Sequence, residues 1–359
     1  MKILITGMYG QLVTDIIKQL NYTDHDIFAF DRNGLDVADH ENLKKTFDLV
    51  EPDIFIQGAS YHVVEDIENN IDKAVKVNIS SLHTIAKLCQ ENDCLLINFS
   101  TNYVFDGDHY SEDCGINENV IPNPLNIYGI TKYAGEQVVE KYCEKHINFR
   151  VAGLFGITGS RAKKGTNFPI NIIKEIKEQK IIKAVSDQLM NITYTLDAAK
   201  AIVDIINRYS ENKKVIDNFS KDKNIIRIVE NGKSFKYGTY HLTNTGMLTW
   251  YDLAKFICDY YNYHKIEAIE NKNFYSNIKR PKFSALDCSK IQENFGITLQ
   301  TWQSGIIRFI NEYKNKVNPK DKVDFIFPTN FSVSANTSAS YYNKDDYPPS
   351  TKFSISDDC

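Results

Sequence analysis

Short apolar runs recur along the chain, and most are followed by a stretch with helical spacing. The runs are Lys2–Thr6, Asp26–Phe30, Asp53–Gln57, Cys94–Phe99, Asn148–Ala152, 181–187 and 238–242. Several carry apolar side chains at consecutive positions, the pattern of strands buried on both faces of a parallel sheet. Between them, apolar residues at three- and four-residue spacing predict helices ending near Leu20 and over Asp39–Val50, Asp72–Gln90, 128–142, Ile170–Gln179, Thr195–Tyr209, Trp250–Tyr261 and Trp302–Tyr313. Strands alternating with helices predict an α/β fold: a Rossmann-type doubly wound parallel sheet with a smaller C-terminal substrate-binding lobe. The expected layout is one domain over 1–315, with a core of about 1–160 and a lobe built mainly from 161–195 and 238–315. Residues 210–236 are polar and weakly patterned and read as a surface insertion. Residues 316–359 read as a polar, largely disordered extension, with Phe325, Phe327 and Phe331 able to dock on the body.

Composition narrows the class without naming a function. The 359 residues are 42% hydrophobic with a net charge of -4, so there is no basic footprint for nucleic acid. Seven cysteines without a C-x-x-C pair argue for free thiols in a reducing compartment, and no metal site is expected. No apolar run approaches the roughly 18–20 residues that span a membrane. The first strand starts at once, with no signal-peptide layout, so a cytoplasmic enzyme is expected.

The candidate chemistry sits in two stretches. After the first strand comes Gly7-Met8-Tyr9-Gly10-Gln11-Leu12-Val13. A glycine turn between strand and helix brings backbone against a pyrophosphate at the helix N-terminus. Gly7, Tyr9, Gly10, Gln11 and Leu12 are therefore candidate cofactor contacts, and Val13, where a third glycine is common, predicts a slightly displaced helix. Asp31 ends the second strand and can accept from a ribose 2′-OH, favouring NAD, whereas Arg32 can meet a 2′-phosphate, favouring NADP. Ala59, Ser60 and Tyr61, at another strand end, let a cofactor pack on backbone. Asn78 reads either as a structural clamp on main chain or as a catalytic residue, and it is a candidate cofactor contact.

The second stretch runs from Ser100 to Lys132. Thr101 closes a buried strand, and Tyr128 and Lys132 share one helix face four residues apart. A phenol can protonate the oxygen of a ketone under reduction, and a nearby ammonium lowers its pKa from about 10. A threonine hydroxyl can fix the angle. Tyr and Lys four apart also occur on exposed helices. The strand-end Ser100-Thr101 and the glycine turn are what single out this pair. The loop Thr158–Thr166 reads as a mobile lid. Asn167, at a helix start, and Arg280 are candidate contacts for a substrate diphosphate.

Together these residues resemble the dTDP-4-dehydrorhamnose reductase family of extended short-chain dehydrogenases over about residues 1–314. The resemblance rests on Gly7–Leu12, Ser100–Gly107, Asn126–Lys132 with Gly135-Glu136, Gly165–Phe168, Asp187-Gln188, Gly238–His241, Arg280-Pro281 and Phe295–Ile297. It implies Thr101, Tyr128 and Lys132 as the catalytic set and NADPH or NADH as donor. The implied reaction reduces the C4 ketone of a nucleotide-linked 6-deoxysugar. Asn102, Val104 and Phe155 join Asn167 and Arg280 as candidate substrate contacts. Asn102 stands where the family usually has Asp, Leu154 replaces an aromatic, and Met190 and Ile192 replace Gly and Pro. For some members the resemblance also implies Mg2+ at a homodimer contact, which no residue here can be assigned to hold. Related dehydratases carry Asp-Glu after the threonine, and here Asn102-Tyr103 follows instead. The alternatives are a related epimerase or epimerase–reductase, or a non-catalytic protein similar to the regulatory subunit of methionine adenosyltransferase.

Overall fold

Each apolar run becomes a strand, and most strands lead into a helix. The computed structural model describes residues 1–108, 115–220, 235–271 and 278–317, with backbone only for 214–220 and 317. In order, the chain forms β1 (Lys2–Thr6), α1 (Gln11–Leu20), β2 (Asp26–Phe30), α2 (His40–Val50), β3 (Ile54–Gln57), α3 (Val64–Ile67), α4 (Ile71–Val75), α5 (Ser81–Glu91) and β4 (Leu95–Thr101). There follow α6 (Ile127–Tyr142), β5 (His146–Val151), β6 (Leu154–Phe155), α7 (Phe168–Lys177), β7 (Ile182–Val185), β8 (Thr193–Tyr194) and α8 (Thr195–Ser220). The last elements are β9 (Gly238–His241), α9 (Trp250–Tyr260), β10 (Ile266–Ile269), α10 (Ser289–Phe295) and α11 (Trp302–Val317). By contacts the chain divides into Met1–Ile310 and a second unit, 311–359, of which only the end of α11 is described.

The main sheet is parallel, in the order β2-β1-β3-β4-β5-β9. The order reverses between β1 and β3, which opens a crevice at their C-terminal ends, where such sheets bind ligands. Successive strand residues face opposite layers. Ile3, Ile5, Ile54, Ile56, Leu95 and Ile97 join Ile16 of α1 and Ile202 of α8 in one core. Leu4, Phe55 and Leu96 join Leu43 and Phe47 of α2 and Ile85 of α5 in the other. Two further parallel pairs lie outside the main sheet, β7 with β10 and β6 with β8.

Three departures from expectation have physical causes. The helix expected over Asp72–Gln90 is broken by a π-helical turn, Lys76–Ser80, between α4 and α5. Helix α8 runs to Ser220, eleven residues past the expected end at Tyr209, so the first part of the expected insertion is helical. Lys213 ties that extension to Asp53 by a 2.7 Å ion pair. The rest of the insertion, 221–234, and the extension beyond residue 317 lie outside the described residues. Val13 needs no displaced helix: a Cβ on Gly58 would lie 2.2 Å from Val13 Cγ2, so Gly58 supplies the room a third glycine would give.

Candidate active site

The crevice is walled by glycine. Gly7 has φ +69°, and a Cβ there would meet the backbone of Gly58 and Ala59 at 2.6 Å. The two strand ends can thus come together only without side chains. Gly10 caps α1 without a side-chain hydrogen bond, and the first turn holds no acidic residue, leaving its N–H groups directed at an anion. These features fit the pyrophosphate of a dinucleotide. Gln11 donates to Leu154 O (3.1 Å), and Leu12 is buried in the core, so they can reach a cofactor through backbone only. Asp31 Oδ1 accepts from the N–H of Asn33 (3.1 Å) and Gly34 (3.0 Å). Arg32 turns away to Asp36 (2.9 Å).

Asn78 lies in the π turn and clamps the third strand end. Its Oδ1 accepts from Tyr61 N (3.0 Å), and its Nδ2 donates to Tyr61 O (2.9 Å) and Thr131 Oγ1 (3.1 Å). A Cβ on Gly135 would lie 2.6 Å from Asn78 O, so α6 needs glycine to approach this turn. Of the two readings of Asn78, the clamp is the one its contacts describe.

Helix α6 starts at Asn126, whose Oδ1 accepts from Gly129 N (2.9 Å) while its Nδ2 donates to Lys279 O (3.0 Å). Glu68 accepts from Ile127 N (2.9 Å). This start places Tyr128 beside Thr101 at the end of β4, with the threonine hydroxyl near enough to act on the phenol. Thr101 also accepts from Tyr103 N (3.2 Å), and the Tyr103 ring meets Tyr128 edge-on with centroids 6.0 Å apart. Burial pushes the Tyr128 phenol up to about 12, with Thr101 acting against it. Burial pushes Lys132 down to about 8, while Glu136 opposes the fall. The expectation of a lowered phenol pKa is therefore reversed, because burial outweighs the opposing pull of Thr101.

Below Lys132, α6 continues with Glu136 and Glu140 at the same four-residue spacing. Glu136 holds Arg150 of β5 in a buried bidentate pair (Nη2–Oε2 2.6 Å), and Glu140 accepts from Thr239 Oγ1 (2.9 Å). The sheet beneath is correspondingly polar: Asn98 donates to Asn148 (2.9 Å), which donates to Thr239 (3.3 Å). His241 is fully buried between Arg150 and Asp287 O, its pKa held well below the usual value by burial, as a packed histidine.

The expected substrate contacts fare less well. Val104 is fully buried among Phe105, Ile116 and Phe283, and Phe155 stacks on Tyr194 at 5.2 Å in the core, so neither offers a surface. Asn167 is spent on capping α7 (Ile170 N, 3.1 Å) and on Gly156 O (2.7 Å). Arg280 is paired with Glu65 and lies near Tyr103, beside the site and already engaged in this arrangement. Asn102 donates to Ser284 Oγ (2.8 Å), which an aspartate could not do. The Thr158–Thr166 loop is fastened: Ser160 N donates to Thr166 O (3.0 Å), and His62 Nε2 meets Ser160 Oγ (3.1 Å). The contacts of His62 and Arg150 were not visible in the sequence, because their partners lie far away along the chain. Among the described residues no group of His, Cys, Asp or Glu is gathered for a metal, and no helix is long and apolar enough to cross a membrane.

A doubly wound sheet with a glycine-lined crevice and a Thr-Tyr-Lys cluster at a strand end defines the class: an NAD(P)-dependent oxidoreductase of the extended short-chain dehydrogenase type. A family model described as the RmlD substrate binding domain matches residues 1–315, and the chain belongs to that family. It is 29% identical to dTDP-4-dehydrorhamnose reductase of Escherichia coli (strain K12), over 87% of this chain and 98% of that one. It is 30% identical to the Bacillus anthracis dTDP-4-dehydrorhamnose reductase solved in complex with NADP, with a TM-score of 0.74 over 87% of this chain and 99% of that one. The Thermotoga maritima UDP-glucose 4-epimerase, 17% identical with a TM-score of 0.70, shares the fold.

Proposed function

We propose that this protein reduces the C4 ketone of dTDP-4-dehydro-L-rhamnose to give dTDP-L-rhamnose, with NADPH or NADH as donor. The observation that carries the reading is the placement of Tyr128 beside Thr101 at the end of β4, with Lys132 one turn along α6, in a chain of this family. The cofactor would lie on the backbone of Gly7, Tyr9, Gly10, Gln11 and Leu12, with Asp31 at its ribose and Ala59, Ser60 and Tyr61 along its side. When bound, it supplies the hydride that reaches C4.

The rest is done by side chains. Tyr128 stays protonated across the neutral range, so its hydroxyl is a ready proton donor to the ketone oxygen. Thr101 holds that hydroxyl and aims it. Lys132, mostly ammonium below pH 8, stabilises the phenolate left behind. Asn78 fixes Tyr61 and, through Thr131, the turn of α6 that carries Tyr128 and Lys132. Asn102 would border the sugar as an uncharged group. Residues 161–195 and 238–315 form the substrate lobe in this reading.

The test is product identity. The enzyme with NADPH should convert dTDP-4-dehydro-L-rhamnose to a species two hydrogens heavier by mass spectrometry, with a single new proton at C4 by NMR. Turnover of only a UDP-linked 4-keto sugar would replace this substrate with another.

A further inference from the structure

The fastened loop brings a cation to the place where NADP and NAD differ. Gly159 (φ +68°) and Gly165 (φ +72°) close the loop. Gly165 N donates to Ser160 O (2.9 Å), and a short 3-10 turn, Arg161–Lys163, forms its tip. The tip reaches across the glycine turn. The Arg161 guanidinium lies 5.0 Å from the Tyr9 ring centroid, and its Nη1 is 3.9 Å from Asp31 Oδ2. Tyr9 and Asp31 frame the adenosine half of the dinucleotide site in a sheet of this order.

Charge decides what this does. Asp31 alone would repel a 2′-phosphate. One of its oxygens already serves the Asn33–Gly34 turn, and the other faces Arg161. Arg32, the cation next in sequence, is held by Asp36 with a 70% exposed side chain. The Arg161–Asp31 contact is too long for a hydrogen bond, and the Arg161 side chain is 59% exposed, so the pair is weak. A dianionic phosphate offers the guanidinium a stronger, bidentate partner.

We propose that Arg161 is the specificity-determining residue for NADPH, taking the adenosine 2′-phosphate from a loop that crosses the glycine turn and offsetting the charge of Asp31. The proposal rests on the nicotinamide-dependent reading of the crevice. Its test needs no turnover: calorimetric binding of 2′,5′-ADP and of 5′-AMP to the full chain, wild type, Arg161→Ala, Arg161→Lys and Arg32→Ala. Wild type should favour 2′,5′-ADP. Arg161→Ala should weaken 2′,5′-ADP about tenfold and 5′-AMP less than about twofold, a charge-assisted pair being roughly one factor of ten. Arg161→Lys should lose part of that, and Arg32→Ala little. An unchanged 2′,5′-ADP affinity in Arg161→Ala, or equal losses for both nucleotides, overturns the proposal alone. Failure of wild type to bind either nucleotide overturns the dinucleotide reading, and the proposal with it.

Discussion

Replacing Asn78 by alanine separates a clamp from a chemical group. The substitution removes the bonds to Tyr61 N, Tyr61 O and Thr131 Oγ1. At about 1 kcal/mol net per bond, with one backbone N–H left poorly satisfied, the loss is about 3–4 kcal/mol. A chain of this size loses about 2–3 °C of melting temperature per kcal/mol, so the midpoint should fall by about 6–12 °C. Thr131→Val removes one of the three bonds and should cost about 1 kcal/mol. The double mutant should cost less than the sum of the two, because both changes break the same contact. The assays are thermal melts by circular dichroism and steady-state reduction with cofactor concentration varied up to saturation. A clamp predicts that stability and cofactor KM worsen together while the pH profile of kcat keeps its shape. An Asn78→Ala protein that melts within 1 °C of wild type while kcat drops a hundredfold would refute this account and give Asn78 a direct part in proton transfer.

Three further predictions use the polar face of α6. The rate of reduction should fall as pH rises through about 8, because the required form of Lys132 is the protonated one and is lost above its pKa. Glu136→Gln removes the charge that supports Lys132, so in a pH–rate profile that limb should move to lower pH. Arg150→Met leaves Glu136 buried without its partner and should cost about 3–5 kcal/mol in urea unfolding, whereas the double change Arg150→Met with Glu136→Leu should recover much of it.

Much of this was legible from local pattern. Parallel strands buried on both faces read as unbroken apolar runs, and β1 and β2 fall on the residues expected from them. Tyr128 and Lys132 were legible because four-residue spacing is a property of the helix itself. What escaped depends on long-range packing. The π turn at Lys76–Ser80 is held by Asn78 reaching Tyr61 and Thr131, 17 and 53 residues away. Arg161 meets its partners only because the chain past β6 returns to the glycine turn, more than 100 residues away in sequence. Val104 and Phe155 adjoin exposed-looking motifs, yet the fold buries both, and no spacing rule shows which side of a loop faces a ligand. Asn167 before Phe168-Pro169 carried a readable capping signal, since Asn is favoured at a helix start and Pro in its first turn.

The most direct test of the central claim is the loss of NADPH absorbance with dTDP-4-dehydro-L-rhamnose, wild type against Tyr128→Phe, with NADPH affinity measured in parallel by fluorescence. Removing a general acid typically costs about 10²–10⁴ in rate. The account predicts a kcat lowered by that amount while NADPH still binds within about twofold of wild type. A Tyr128→Phe enzyme turning over within about threefold of wild type would contradict it, because the proton would then have to come from another group.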